Sequence, residues 1–342
     1  MALEIGLDTF GDRTVNPDGS LKSHAQAMRD LVDQAVLADQ VGLAFIGVGE
    51  HHRDDFAVSA PEVVLAGIAT RTKQIKLGSA VTVLSTDDPI RVFQRFSTVD
   101  ALSNGRAEVI VGRGSFTESF PLFGYKLEKY NELFDDKIEK LAAIVHGDTK
   151  VYPPIERGQL RVWVGVGGTP QSVVRAASYG FPLMLAIIGG EPARFSQFVD
   201  LYYRALRELK QPILPVGCHS PGHVAETDEQ AREDLWKHFL EQRTKIGRER
   251  GWPPPTRAQF DREAGPEGAV FVGSPETVAQ KIAKTARTLN LTRFDLKYSN
   301  GTMPQETMMK SIELIGTKVM PRVHELLGSW APPASLDEVA AN

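Results

Sequence analysis

The sequence predicts an α/β fold of the (β/α)8 barrel type, and two observations carry that prediction. Strand-like and helix-like segments alternate about eight times along the chain, which indicates a parallel sheet covered by helices. The length of 342 residues also fits one barrel domain with inserted segments. A doubly wound open sheet is the structural alternative. In a barrel, the segments that follow the strands would form the active site.

Each predicted element has a local reason in the sequence. Residues 3–8 alternate apolar side chains as a strand does, whereas residues 28–38 repeat them at helical spacing until Gly42. Ser274 and Pro275 form a cap and a first turn that begin a late helix. The further predicted strands are 44–48, 75–83, 107–111, 162–164, 183–188, 213–217 and 294–298. The further predicted helices are 61–72, 89–103, 128–145, 171–179, 191–209, 228–250 and 304–320.

Two longer segments interrupt the alternation, one after the fourth strand and one after the seventh. Residues 115–125 form an irregular excursion. Residues 251–268 are rich in Pro and Gly and predict a long loop, the most mobile part of the chain. We expect a single barrel domain over residues 1–328, with these two insertions, and a flexible tail over 329–342.

Composition excludes several functional classes. The chain is 42% apolar and 24% charged, as in proteins that bury a full core. Its net charge of −4 gives no general attraction to nucleic acids or acidic membranes. The single cysteine, Cys218, rules out an internal disulfide, and the longest apolar run, 181–188, is too short to span a membrane. We expect a cytoplasmic protein with neither nucleic-acid nor membrane partners.

Residues 160–172 combine a strand, a glycine turn and the start of a helix. Gly165, Gly167 and Gly168 permit unusual backbone conformations, and Thr169 and Pro170 suit the cap and first position of a helix. The exposed amides of such a terminus bind phosphate well, although an ordinary strand-to-helix turn would look the same. The dinucleotide pattern G-x-G-x-x-G fails at Pro170, and there is no P-loop motif. A smaller phosphate group is therefore predicted.

Arg113 follows the fourth strand and lies between two glycines, Gly112 and Gly114. The glycines leave room for a ligand to approach the backbone, which favours a binding role over a surface ion pair. Because the ends of the fourth and fifth strands are neighbours, Arg113 and the amides at Gly167 and Gly168 would form a two-sided phosphate clamp.

The second strand is followed by a run that resembles a metal site: Glu50, His51, His52, Asp54 and Asp55. Adjacent residues of an extended segment point in opposite directions, so at most one of the two histidines faces the barrel mouth. The fifth and sixth strand ends supply glycines instead of further ligands, and no catalytic metal is expected. The alternative for the histidines is a structural pair at the barrel rim.

Four motifs taken together resemble a known family. They are Glu50-His51-His52, Gly78-Ser79-Ala80-Val81, the pattern from Asp100 to Arg106, and Gly112-Arg113-Gly114. Their order and spacing resemble the bacterial luciferase-like flavin-dependent monooxygenases. The resemblance implies a (β/α)8 barrel that binds reduced FMN supplied by a separate, transiently bound flavin reductase, uses O2, and oxygenates a small organic substrate.

The resemblance also implies roles for individual residues. Arg113, Val166, Gly167, Gly168 and Thr169 would hold the FMN phosphate. Ser79 and Ala80, with Thr82 at the same strand end, would lie against the flavin ring, where the family often has a non-proline cis peptide. His51 would be the catalytic histidine. The alternatives are hydride transfer with the deazaflavin F420 and flavin binding without turnover. Residues 115–125 and 252–268 would shape the substrate pocket, and helix 61–72 would form a homodimer interface.

Overall fold

Eight parallel strands close into a barrel in the computed structural model, which describes residues 2–156 and 158–341. Successive strands are neighbours from β1 to β7, and β9 closes the barrel between β7 and β1. The predicted fold class is therefore confirmed. Met1, Arg157 and Asn342, which fall within the predicted domain and tail, lie outside the described residues. The strands are β1 (Glu4–Thr9), β2 (Phe45–Val48), β3 (Lys76–Val83), β4 (Ala107–Gly112), β5 (Arg161–Val166), β6 (Leu183–Ala186), β7 (Val216–Val224), β8 (Phe271–Gly273) and β9 (Arg293–Lys297).

The helices lie outside the barrel and cover the outward faces of the strands. Most of the apolar core is formed where the two layers meet. The predicted cap at Ser274 is present, and Asn104, in the left-handed conformation, ends the helix 89–103. The helices are α1 (His24–Gln40), α2 (Pro61–Ala69), α3 (Pro89–Ser103), α4 (Ser119–Leu122), α5 (Tyr130–Val145), α6 (Pro170–Ser178), α7 (Ser196–Glu208), α8 (Asp228–Arg250), α9 (Arg257–Glu263), α10 (Pro275–Leu289), α11 (Gln305–Leu314), α12 (Met320–Leu327) and α13 (Leu336–Ala341).

The seventh strand differs from its prediction. It begins at Val216, and it continues to Val224 through glycine, serine, proline and two histidines. That stretch lacks the apolar pattern of a strand, because its side chains meet polar groups inside the barrel. The outer end of β7 also pairs with β8, a short strand that the sequence did not predict and that lies outside the closed barrel.

The segment 251–268 is not the long loop that its composition predicted. Thr256 and Gln259 form a reciprocal capping box that begins α9, and Phe260 of that helix is fully buried. A local cap and one buried aromatic side chain thus order seven residues despite the flanking prolines. The insertion after β7 consists of α8, α9 and β8.

The lower half of the barrel interior holds a buried ion pair. Arg293 is fully buried and donates to Glu4 Oε2 at 2.8 Å and Glu108 Oε2 at 2.7 Å. Its guanidinium lies over the rings of Phe45 and Trp163, and the indole of Trp163 donates to Glu108 Oε2 at 2.9 Å. These contacts satisfy the buried charges and close the N-terminal end of the barrel.

Part of the predicted tail packs against the rest of the chain. Within the predicted tail, Trp330 and the α13 residues Leu336 and Val339 pack against the main core. The flexibility of the tail and the single-domain assignment stay predictions.

Among the residues that the structure describes, no helix has the length and apolar character needed to cross a bilayer.

Candidate active site

The C-terminal strand ends form one face of the barrel, which we call the mouth. It brings together residues that are far apart in sequence, including His51 after β2, Ala80 in β3 and Arg113 after β4. Thr169 follows β5 on the same face. Parallel pairing places all these ends at one side of the sheet, and the predicted site residues therefore lie on a single face.

Arg113 and Thr169 are in contact at the mouth. The guanidinium donates from Nη2 to Thr169 Oγ1 at 3.4 Å and from Nη1 to Asn131 Oδ1 at 2.8 Å, and it lies over the Tyr130 ring. Among the described residues no carboxylate forms a salt bridge with Arg113. A half-buried arginine that contacts only neutral groups keeps its charge available for an anion.

The backbone around Thr169 is also suited to an anion. The amides of Gly168 and Thr169 form no hydrogen bond with any described residue. Gly168 has φ of +120°, which side chains other than glycine rarely adopt. Thr169 is the N-cap of α6 by position, but its hydroxyl donates to Ser172 Oγ at 2.7 Å instead of capping the helix. The Thr169 hydroxyl also accepts a hydrogen bond from Arg113, so the Thr169 side chain is part of the predicted clamp.

The third strand provides the surface beneath the mouth. The peptide bond between Ala80 and Val81 is a non-proline cis bond, in the strand for which the family resemblance implied one. Val81 fills the space above Gly112 and Gly165, where an added Cβ would meet Val81 at 2.8 and 3.3 Å. Glycines at these two positions therefore leave room for the Val81 side chain at the centre of the barrel.

The side chains of three other residues that were predicted to contact the cofactor are engaged elsewhere, unlike that of Ala80. The hydroxyl of Ser79 donates a hydrogen bond to the carbonyl of Ile110 at 3.1 Å and accepts one from the hydroxyl of Thr82 at 2.9 Å. The side chains of Ser79 and Thr82 are both buried. Val166 belongs to the core between strands and helices. These three residues can support a bound ring or phosphate through their backbone, while their side chains are engaged elsewhere.

His51 lies in an aromatic enclosure at the mouth. Its ring stacks on Phe56 with a centroid distance of 4.2 Å and also contacts Phe10 at 5.0 Å and Phe116 at 5.1 Å. Burial, with a smaller contribution from the charge of Lys297, lowers the pKa of His51 to about 3. Its Nδ1 is sealed and has no partner among the described residues. His51 is therefore neutral near pH 7.

His52 has a different environment, as the alternation of the segment predicted. Its Nε2 lies 2.9 Å from Glu50 Oε1, and the other carboxylate oxygen of Glu50 accepts from the amide of Val83 at 2.8 Å. This arrangement fastens the second strand end to the third. Within residues 2–156 and 158–341, no three His, Cys, Asp or Glu side chains are grouped so as to hold a metal ion.

Two further polar groups lie at the mouth. His219 of β7 lies 2.5 Å from Asp8 of β1, between Nδ1 and Oδ2. Arg53 forms ion pairs with Glu118 after β4 and Glu249 of α8, both at 2.6 Å. Asp8 and His219 are recognisable as strand-end residues, but a separation of 211 positions gives no local sign of their pairing.

The barrel mouth joins an arginine that has no carboxylate partner among the described residues, a glycine turn and an aromatic-enclosed histidine, and polar strand ends of this kind are typical of (β/α)8 enzymes. The family model for luciferase-like monooxygenases matches residues 11–292. The chain therefore belongs to the luciferase-like monooxygenase family and is a flavin-type oxidoreductase, as the motifs implied.

Three known proteins illustrate the similarity. N-acetyl-S-alkylcysteine monooxygenase of Bacillus subtilis is 26% identical over 81% of this chain and 88% of its own. The oxygenating constituent of 3,6-diketocamphane monooxygenase from Pseudomonas putida, solved with FMN, has a TM-score of 0.74 and 17% identity over 94% and 99% of the two chains. The F420-dependent tetrahydromethanopterin reductase of Methanopyrus kandleri has a TM-score of 0.66 and 17% identity over 94% and 100%. Both structures show the same fold.

Proposed function

We propose that the chain is an FMN-dependent monooxygenase that takes reduced FMN from a separate reductase and uses O2 to oxygenate a small organic substrate. The observation that carries the proposal is the contact of Arg113 with Thr169 beside the free amides of Gly168 and Thr169. Together they offer a guanidinium, a hydroxyl and two amides to one small anion, which is the donor set that a terminal phosphate requires.

The residues present also fit the flavin ring. Gly112 and Gly165 make room for the Val81 side chain, which is apolar and only partly buried, and Ala80 belongs to the cluster against which Val81 packs. An added Cβ at Gly167 or Gly189 would meet nothing within 4 Å, so the neighbouring strand ends leave open space. Arg113 and Thr169 would hold the phosphate, and the surface around Val81 would support the ring.

Bound reduced FMN would supply two electrons, so that one oxygen atom of O2 enters the substrate and the other leaves as water. The residues of this chain would bind the flavin at the mouth, where His51 lies among the rings of Phe10, Phe56 and Phe116. The aromatic side chains exclude water from the mouth. The neutral His51 would act there through a hydrogen bond at Nε2 rather than as a cation.

Two alternatives follow from the same site. The F420-dependent structural relative makes hydride transfer a second candidate, since F420 is a deazaflavin and would use the same barrel mouth. A binding protein without turnover would keep the phosphate clamp but would not need His51. The monooxygenase is preferred because a relative with 26% identity across most of this chain carries that name.

One titration separates the three functions. We expect the purified protein to bind FMN and reduced FMN, measured by visible absorbance, and to consume O2 once reduced FMN is bound. Binding of F420 with hydride exchange and no O2 consumption would establish the hydride-transfer enzyme. Binding of FMN without any reaction would establish the binding protein.

We also propose a homodimer formed through α2. Val63 is 68% exposed on this helix, whereas Leu65 and Ile68 are buried in the chain's own core. Val64 and Ala66 are only partly covered. The helix is therefore apolar on a second face that its own barrel does not use.

A further inference from the structure

Asp8 and His219 form a buried pair on the inner side of the mouth. Asp8 lies near the end of β1 and His219 in β7, with relative exposures of 2% and 9%, and the atoms Oδ2 and Nδ1 are 2.5 Å apart. The only described contact of the Asp8 carboxylate is this histidine, since its Oδ1 is sealed without a partner. The pair thus sets the orientation of the imidazole.

The contact decides which nitrogen of His219 is free. An ionised carboxylate only accepts hydrogen bonds, so Nδ1 carries the hydrogen and Nε2 is left as the second site. Nε2 forms no hydrogen bond with any described residue, yet it is not among the sealed atoms, and the side chain keeps 11% exposure. Nε2 can therefore reach a molecule bound at the mouth.

Phe10 connects this pair to the predicted site. Its ring centroid is 6.1 Å from that of His219 and 5.0 Å from that of His51, so one aromatic side chain separates the two histidines. His51 is kept neutral by its enclosure. A reaction that releases water needs a group that can deliver a proton near neutral pH, and a histidine backed by a carboxylate is suited to that task.

We propose that His219 is a second acid–base residue of this site, which exchanges a proton with bound flavin or substrate through Nε2, and that Asp8 is its positioning residue. The inference rests on the proposed flavin function. His219 takes up a proton from solvent at Nε2 and passes that proton to the reacting oxygen, so the residue itself is unchanged at the end.

The other charged groups around His219 do not replace Asp8. Asp295 is in register with His219 on β9, and burial raises the pKa of its carboxyl well above the usual range, which disfavours its charged form. Lys297 on the same strand is paired with Asp12 at 3.1 Å and lies over the face of Phe10. Asp8 is therefore the carboxylate in contact with the imidazole, and the ring of Phe10 contacts both His219 and His51.

The first test needs no turnover. Histidine 15N NMR of the flavin-free protein should show His219 with its hydrogen on Nδ1, and D8N should move it to Nε2, because an amide at position 8 can donate to Nδ1. Addition of FMN should shift the Nε2 resonance of His219. Hydrogen on Nε2 in the wild type, or no response of His219 to saturating FMN, would overturn the proposal.

The second test follows O2-driven reoxidation of bound reduced FMN from about pH 5 to about pH 9. H219Q should lose an ionisation step and at least about tenfold in rate at neutral pH while FMN affinity changes less than about threefold. H223Q is the matched control, because His223 also lies on β7 and pairs with a carboxylate, Asp234, at 3.4 Å. Equal pH profiles for wild type and H219Q would refute the acid–base role.

The two arms distinguish this inference from the proposed function. Failure of FMN to bind would remove the flavin function, and the proposed role of His219 with it. Binding of FMN without a response at His219 would leave the flavin function intact and remove only the inference. A thermal melt of each variant shows whether a loss arises from unfolding, and D8N with intact folding but a changed tautomer would support positioning.

Discussion

Replacement of Arg113 by alanine tests the phosphate clamp most directly. The guanidinium has Asn131, Thr169 and the Tyr130 ring as its partners, and no salt bridge to a carboxylate among the described residues. Its removal therefore leaves no buried acid without a partner, and the loss should appear in ligand binding rather than in folding. A charge-assisted hydrogen bond to a phosphate contributes on the order of 1.5 to 3 kcal/mol.

That free energy corresponds to about a ten- to hundredfold weaker affinity for FMN. Riboflavin has the same ring but no phosphate, and R113A should change its affinity by less than about threefold. Both dissociation constants can be measured by flavin fluorescence on wild type and variant. R91A provides a control, since Arg91 is an exposed arginine on α3 whose guanidinium contacts Gln94.

Equal losses for FMN and riboflavin would show that Arg113 does not contact the phosphate. R113K adds a second comparison, because lysine keeps the charge but cannot form the forked contact. We expect R113K to lie between wild type and R113A. An R113K variant as weak as R113A would indicate that geometry rather than charge dominates the contact.

The remaining predictions concern chemistry, assembly and access. H51A should retain FMN affinity but lower the yield of oxygenated product relative to hydrogen peroxide by about a hundredfold, and an unchanged yield would remove His51 from the mechanism. The pKa of His51 is about 3 in the folded chain, so below about pH 6.5 the unfolded chain binds a proton at this residue that the folded chain does not. Wild type should therefore lose stability between about pH 6.5 and about pH 4 in urea melts, and H51F should lose less. Light scattering should show a dimer that V63E converts to a monomer, and a monomeric wild type would contradict the interface. E249Q removes the charge that pairs with Arg53 and should speed protease cleavage in residues 251–256. Saturating flavin should slow that cleavage if the segment closes over the mouth as a lid. Cleavage that neither change affects would argue against a lid.

Local patterns predicted the barrel, which is confirmed, and the phosphate clamp, which stays a prediction. A parallel barrel places every strand end on one face, so Arg113 and Thr169 could be expected as neighbours once the strands were counted. Glycine is common where the backbone requires a positive φ, so Gly168 indicated a turn at this position in the sequence. The run of Glu50, His51 and His52 was also recognisable in the sequence, but the different environments of the two histidines come from their tertiary partners, because both residues lie beyond the end of β2.

The predictions failed where the deciding contact is distant. The polar stretch of β7 is a strand because it completes the barrel, and α9 is a helix because Phe260 finds a buried place. Neither partner lies nearby in sequence. Composition described both segments correctly as polar or as rich in Pro and Gly, yet tertiary packing outweighed local propensity.

The sequence by itself thus determined the fold, the family and the side chains that can reach a phosphate, because periodicity, caps and glycine positions act over a few residues. Only the tertiary structure decided which polar groups become partners inside the barrel. Arg293 meets Glu4 across 289 positions, and His219 meets Asp8 across 211. Closure of the barrel joins its first strand to its last, and these charges are stable there because each is buried against a partner that chain proximity could not provide.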